Sequence, residues 1–321
     1  MRPTLLCLAM VLMLIAAPVL AFDCTRAATA VEQTICGDLS LKAIDDRLGK
    51  AYADLRALTS EPDRAALAAA QKRWIKRREA CGDSADPPEC VASQTNERTA
   101  LLSGTPASGT PASGPGIDGM RLVPFFLWQN GSDNTYAIDA TLLRFVDPQS
   151  PGERRFNLMT AELGDSLPFG PHGDDPNPNY DVVQTMTVDF LSDHLLSATV
   201  STSSYTGGAH GNYGRFHVNI DMTSGRDLLA KDLFTPQALQ KLVERCTVQI
   251  TATKTARALD YGTDYDPATD VALQGDAIAD HVADLTRWAL TDREARVDFD
   301  PYSVGSYAEG AFECRFPLGS P

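Results

Sequence analysis

The stretch SSYTGGAHG, Ser203 to Gly211, holds residue types that do chemistry. A hydroxyl at Ser203 or Ser204 beside the His210 imidazole is the material of nucleophilic catalysis, the imidazole taking the hydroxyl proton. The G-x-S-x-G elbow that exposes such a serine is absent, and a nucleophile so close in sequence to its base is uncommon. His210 and His217 together raise the question of a metal, but no helical H-E-x-x-H frame holds them. A sharp turn is the simpler reading. Gly207 and Gly208 can take positive φ between two strands, which places His210 at the turn beside Tyr205. The expectation is ligand recognition, with no catalytic residue, no metal and no cofactor.

Two further candidates are weaker. The acidic run DYGTDYDPATD, Asp260 to Asp270, lacks the central glycine and terminal glutamate of an EF-hand at the required positions, and reads as a solvated loop rather than a calcium site. His281 flanks an apolar helical stripe and reads as packed.

The cysteines depend on the compartment. Arg2, the apolar run Leu5 to Leu20 and the small residues at Val19 and Ala21 form a secretory leader over residues 1–21, too short for a comfortable membrane span. Asp23 precedes Cys24, so the junction is not that of a lipoprotein. Cleavage near Ala21 predicts a periplasmic or secreted protein with no stable membrane insertion. It leaves Cys24, Cys36, Cys81, Cys90, Cys246 and Cys314, an even set in an oxidising setting, which favours disulfides. In the first four the spacings are C-x11-C and C-x8-C with no histidine nearby. A zinc site wants short pairs such as C-x-x-C and a catalytic thiol wants a histidine, so cross-linking is the reading. Of the three connectivities, the two joining the N-terminal arm to the Cys81–Cys90 region are preferred. Each staple is worth roughly 3–4 kcal/mol by loop entropy.

The elements that carry these residues divide at SGTPASGTPASGPG. This proline- and glycine-rich run without large apolar residues defines a linker over residues 103–118. Before it, residues 22–102 read as a small all-α domain. Leu41, Ile44, Leu48, Tyr52 and Leu55 recur at helical spacing after an Asp38 cap. SEPD, Ser60 to Asp63, starts a second helix carrying Leu67, Ala70 and Trp74. The two should pack antiparallel, bringing Cys36 near Cys81, and a domain this small needs staples. The basic run KRWIKRR reads as a solvated face and Trp74 as core.

After the linker, residues 119–321 alternate as strands: RLVPFFLW, YAIDATLLRFV, YDVVQTMTVDFL, HLLSATVSTSSY and GRFHVNIDM. In the last, Phe216, Val218, Ile220 and Met222 oppose His217, Asn219 and Asp221. Two helical stripes follow, Leu239 to Ile250 and Ile278-Val282-Leu285-Ala289. VDFDPYSV and GAFECRFPL close the chain. The fold class is multidomain: a stapled helical domain, then an α+β domain with helices on one face of an antiparallel sheet. Cys246 on its helix and Cys314 between Phe312 and Phe316 both point at the core and should bond.

Charge separates the two parts. Residues 22–102 carry 12 Lys and Arg against 13 Asp and Glu, so the chain's net charge of −14 resides in residues 103–321. Such a surface repels nucleic acid and favours a basic partner.

The first domain is familiar in its residues. FDC…VEQTIC…IDDRLGKAY, then QKRWIKRREAC with its Q-x2-W-x3-R-x2-C spacing from Gln71 to Cys81, then Cys90 with Arg98 eight residues on, resembles the N-terminal domain of the LprI family. Founding members of that family are lysozyme inhibitors. Gln94 and Thr95 stand where the family usually has an aromatic residue.

The second part, YTGGAHGN…VNIDMTSGRDLLAKDLF and VDFDPYSVGSYAEGAFECRFP, resembles the domain shared by RsiV-type anti-sigma factors and PdaC-type peptidoglycan deacetylases. In the former that domain binds lysozyme outside the cell; in the latter it accompanies a separate catalytic domain. The resemblance maps Tyr205, Gly207, Gly208, Ala209 and His210 onto one motif and Tyr302, Tyr307 and Gly310 onto another. This implies ligand binding by Tyr205, Gly207, Gly208, His210, Tyr302 and Tyr307. Signalling and deacetylation are not expected, because no sigma-binding tail or deacetylase domain is recognisable. The function expected is an exported, non-enzymatic protein that binds and inhibits lysozyme or another basic wall hydrolase. The alternative is a module that binds peptidoglycan or another envelope glycan.

Overall fold

The computed structural model describes residues 23–103, 122–131, 136–167 and 180–317. The expected leader, residues 1–21, and all of the expected linker but Ser103 lie outside the described residues.

The first part is all-helical. α1, Ala30–Gly37, opens on a capping box between Thr29 and Glu32. α2, Leu39–Leu58, starts at Asp38, whose carboxylate accepts the Ser40 and Leu41 N–H groups, as the sequence indicates. α3, Asp63–Arg78, has Pro62 at its N-cap, without a side-chain cap. Asp63 supplies the negative charge in its first turn and pairs with Arg144. α4, Pro87–Leu102, is capped by Asp86. α1 and α4 add to the two helices expected. They change the packing: α2 lies chiefly against α4, and α3 against the first strand of the second part.

This arrangement also corrects the disulfide pairing. The bonds are Cys24–Cys36 and Cys81–Cys90; neither joins the N-terminal arm to the Cys81–Cys90 region. Cys24 lies in a single 3-10 turn that folds back on α1, and Cys81 and Cys90 flank the α3–α4 connection. Each bond therefore closes a local turn. Contact between the two regions is apolar instead, through Val31, Ile35, Cys81 and Val91.

The core of the helical part is closed from outside. Leu48, Leu55, Leu67 and Trp74 cluster with Leu102 and with Val123 and Phe126 of β1, Leu122–Asn130. Arg78 and Arg98 place their guanidiniums 4.6 and 6.0 Å from the Trp74 ring, so the tryptophan combines core packing with cation–π contact.

The second part is built on a six-stranded sheet in chain order: β1, β2 (Tyr136–Phe145), β3 (Tyr180–Leu191), β4 (Leu195–Tyr205), β5 (Asn212–Asp221) and β6 (Arg226–Asp227). All neighbours are antiparallel except β2 and β3, which run parallel. A parallel pair needs a crossover, and between them lies α5, Pro151–Asp165, which the strand-based reading passes over. α5 opens on a capping box of Ser150 and Glu153 with Pro151 in its first turn. It buries Phe156 on one face of the sheet against Leu142, Met186 and Val200.

The opposite face is defined by register. Trp128, Asp139, Val183, Ser203 and Tyr213 form one row across β1 to β5; Phe126, Thr141, Thr185, Ser201 and Arg215 form the next. α3 covers this face at β1.

A C-terminal lobe packs at the β5 end. It comprises α6 (Ala230–Leu233), α7 (Pro236–Asp260), α8 (Val271–Gln274), α9 (Ala277–Ala283) and a three-stranded antiparallel sheet of β7 (Trp288–Leu290), β8 (Glu294–Phe299) and β9 (Phe312–Pro317). The second expected helix stops early. Asp284 accepts the Thr286 N–H and starts a 3-10 turn containing Leu285, while Ala289 belongs to β7. Asn219 donates from Nδ2 to the Leu285 and Trp288 carbonyls, both at 2.9 Å. His217 and Asn219 on the polar face of β5 are thereby buried rather than solvated.

Cys246 on α7 bonds Cys314 on β9, and both are fully buried. With a separation of 68 residues, this bond contributes about 4 kcal/mol by loop entropy. Replacing both cysteines by alanine should lower the free energy of unfolding by about that amount in a denaturant titration. In native protein, mild reductant should open Cys24–Cys36, whose Cys24 is exposed, before Cys246–Cys314, as read by mass shift after alkylation.

Candidate functional site

The structure brings the two chemistry-bearing loops together at one end of the sheet. The β4–β5 hairpin turns through Gly207 and Gly208 at φ 88° and 100°, values at which a Cβ is strained. Tyr205 closes the turn by donating to the Gly208 carbonyl at 3.0 Å. His210 stacks on Tyr307 with ring centroids 3.6 Å apart and planes 14° from parallel. Tyr307 in turn donates its hydroxyl to the Gly211 carbonyl at 2.6 Å. Because that carbonyl only accepts, His210, with Nδ1 at 2.9 Å from it, carries its proton on Nδ1.

Tyr302 joins the group with its ring 5.7 Å from Tyr307. It is 63% exposed and sits at φ 71°. The turn runs from Asp300, whose carbonyl accepts the Ser303 N–H at 3.0 Å. Pro301 and Tyr302 hold its two central positions, the second of which usually carries glycine when φ is positive. A bulky side chain held there is strained by about 1–3 kcal/mol. Tyr213 of β5 completes the cluster edge-on to Tyr307 at 6.2 Å.

The supports were not legible as a site in the sequence. Asp300 accepts the Arg215 N–H at 2.8 Å and the Arg287 guanidinium at 2.8 Å, tying the Tyr302 turn to β5. A Cβ on Gly214 would come within 3.1 Å of the same carboxylate, so this close approach uses glycine. The Tyr307 loop is held from α7. Arg257 donates to the Glu309 and Ala311 carbonyls, and Lys254 pairs with Glu309 at 3.2 Å and Asp270 at 2.7 Å. Tyr213 had a signal, since β5 alternation puts it on the face of His217.

Residues 24–102 match the family model described as Lysozyme inhibitor LprI, and residues 231–319 match that of a protein of unknown function, DUF3298. The chain carries an LprI domain followed by a DUF3298 domain. Over 81 residues it is 40% identical to proteins named Lipoprotein LprI from Mycobacterium tuberculosis H37Rv and Mycobacterium bovis, covering 25% of this chain and 40% of theirs. The chain thus spans about two fifths of the length of these curated relatives. Solved DUF3298 proteins from Bacteroides fragilis NCTC 9343 and Pseudomonas aeruginosa PAO1 are 16% and 19% identical, with TM-scores of 0.45 and 0.42. Each likeness covers 62% of this chain, and 90% and 91% of the respective structures. No helix among the described residues is long and apolar enough to cross a membrane.

The LprI domain uses its signature residues structurally. Arg78 donates to Asp45 at 2.8 Å and Thr95 at 3.2 Å, and Arg98 to Gln71 at 3.0 Å. KRWIKRR is therefore not a uniformly solvated face: Arg78 is buried, and Arg73 lies with its guanidinium 4.1 Å from the Trp128 ring. Only Lys72, Ile75, Lys76 and Arg77 of this run are exposed.

Beneath the aromatic cluster, His217 is enclosed. Its Nε2 lies 3.1 Å from Asp298 and its Nδ1 2.9 Å from the Thr199 hydroxyl, which donates to Asp189 at 2.6 Å. This acid–imidazole–hydroxyl series has the order of a nucleophilic triad. Thr199, His217 and Asp298 are all at most 5% exposed, however, so it joins the two sheets rather than meeting a substrate. His281 stacks on Phe299 at 4.7 Å and is packed, as expected.

In the acidic run, Asp270 takes the Lys254 ammonium and the Tyr265 hydroxyl at 2.8 Å, and Asp266 caps the turn at Ala268. Among the described residues, no cluster of three or more His, Cys, Asp or Glu is arranged to hold a metal.

These paired acids set the acid limit of stability. Burial pushes the Asp298, Asp270 and Glu309 carboxyls up, but hydrogen bonds overcome it and hold all three below their ordinary values: His217 and Arg296 on Asp298, Lys254 and Tyr265 on Asp270, the Ser306 N–H and Lys254 on Glu309. A carboxylate with a depressed folded pKa stabilises the fold above its unfolded value and loses that contribution as pH falls through the folded value. Asp189 runs the other way, since burial raises it. The melting temperature should hold from neutrality to about pH 4.5 and fall steeply below about pH 4. Asp270→Asn should lower it at pH 7 and flatten that acid slope, as measured by calorimetry across the range.

Proposed function

We propose that this protein is an exported, non-enzymatic inhibitor that binds lysozyme or a similar cationic wall hydrolase. The observation that carries the proposal is the LprI domain at residues 24–102, read with the lysozyme-binding resemblance of the second part. The site is the cluster of Tyr205, Gly207, Gly208, His210, Tyr302 and Tyr307. Three features support it. Tyr302 and Tyr213 stand 63% and 47% exposed, with the Tyr302 turn tied to β5 by Asp300 and the neighbouring Tyr307 loop held by Arg257 and Lys254. Rigid exposed tyrosines suit insertion into a cleft, because little side-chain entropy is lost on binding. Residues 103–321 carry the whole net negative charge, which steers a basic partner.

The strained φ of Tyr302 gives the sharpest test. Tyr302→Gly relieves the backbone, so the variant should unfold at a temperature equal to or above that of the wild type. It should nevertheless inhibit lysozyme at least about tenfold more weakly, as a lost aromatic anchor does. Inhibition by the wild type should weaken several-fold between about 20 and 200 mM salt, as the Debye length contracts. Full lytic activity in the presence of stoichiometric protein at low salt rejects the proposal. Retention on insoluble wall material without lysozyme would favour a glycan-binding module instead.

A further inference from the structure

Between the LprI helices and the sheet lies a cleft of ≈ 350 Å³. Arg73 and Arg77 of α3, Glu97 and Arg98 of α4, and Phe126 and Asp139 of the sheet line it. It belongs neither to the aromatic cluster nor to the buried acids.

Its charges do not cancel. Three guanidiniums stand against two carboxylates, which leaves a positive charge inside a chain of net charge −14. Asp139 is shared: Arg77 donates to it at 3.2 Å, while Arg73 lies 3.7 Å away, beyond an ordinary hydrogen bond. Glu97 accepts the Ser93 hydroxyl instead. Arg98 forms no ion pair among the described residues. Its Nε donates to Gln71, while its Nη2 and the Nε of Arg73 are enclosed without a hydrogen-bond partner. Burial, with Arg77 nearby, lowers the Arg98 guanidinium to about 10, so it is still charged at neutral pH. A cation 6% exposed that no carboxylate touches is costly, and unsatisfied buried donors beside a cavity mark a place for an ion or polar ligand.

We infer that this cleft binds a small organic carboxylate, held at its charged end by Arg73 and Arg77 in the field of Arg98, with its apolar body on Phe126 and Val183. The choice follows from charge and shape. One uncompensated positive charge matches a monoanion, whereas a dianionic phosphate leaves a negative excess. Guanidiniums give a carboxylate paired, directional donors. The volume is at the small end of ligand sites and suits a ligand no larger than a dipeptide. Because α3 and α4 form one wall and β1 to β3 the other, an occupant would bridge both parts of the chain.

The test is calorimetric titration of the full protein with acetate, benzoate and N-acetyl-dialanine, compared with N-acetyl-dialanine amide and inorganic phosphate. At least one carboxylate should bind saturably at one site, with the amide weaker by about tenfold or more. Arg77→Gln, at a side chain 58% exposed, should weaken that binding about tenfold without moving the melting temperature. Asp139→Asn should tighten it several-fold and admit phosphate, which no purely structural role for Asp139 would produce. Absence of saturable binding by every carboxylate, equal affinity for the amide, or an inert Arg77→Gln overturns the inference. Wild-type preference for phosphate overturns its charge matching.

Discussion

Phe126 enters the core of the helical domain beside Trp74, and the relation between the two parts rests on that insertion. About 80 residues in four helices bury too little apolar surface to be stable with much margin. Two local disulfides narrow the unfolded ensemble without tying distant elements together. The remaining apolar surface is covered by β1, the first strand of the six-stranded sheet. The contact is reinforced at its margins, where Arg144 pairs with Asp63, Arg77 with Asp139, and Arg73 lies over Trp128. Exposed ion pairs of this kind add little on their own; the enclosed aromatic rings supply most of the attraction, and the ion pairs select the orientation.

Once α3 is seated on β1, the sheet relates everything else by register. The row Trp128, Asp139, Val183, Ser203 and Tyr213 runs from the LprI helices to the aromatic cluster. With neighbouring strands roughly 4.8 Å apart, its ends are separated by about 19 Å. Asp139 and Val183 of this row line the cationic cleft, Tyr213 at its far end belongs to the aromatic cluster, and the exposed Ser203 lies between them. The two candidate sites thus share one rigid face, so a displacement of β3 or β4 would be felt at both.

The sequence showed clearly whatever depends on local pattern. Strand alternation, the Asp38 cap, the Gly207–Gly208 turn and the inward placement of Cys246 and Cys314 all follow from a few adjacent residues. What depends on distant partners was hidden. Arg78 looks like a surface cation until Asp45 and Thr95 are placed opposite it. His217 and Asn219 look solvent-facing because β5 alternates; the residues that cover them, Leu285, Trp288 and Asp298, lie 66 to 81 residues further on. The disulfide preference failed for a related reason, since it placed two helices where four pack. The capping box at Ser150 and Glu153 was a local signal for α5, masked by the strand-rich stretches around it.

The distribution of charge connects these features to the proposed function. The ammonium of Lys254 and the guanidiniums of Arg78, Arg98, Arg257 and Arg287 are turned inward, onto carboxylates, carbonyls and rings. The acidic excess itself lies in residues 103–321. The aromatic cluster is the contrasting patch. Its own polar groups largely bond within it, with Tyr307 on Gly211, Tyr205 on Gly208 and His210 on Gly211. A partner meeting these rings would therefore displace few tightly held hydrogen bonds. On the proposed reading, long-range attraction by the acidic chain would set the approach of a basic protein, and short-range burial of the tyrosines would set how long it stays.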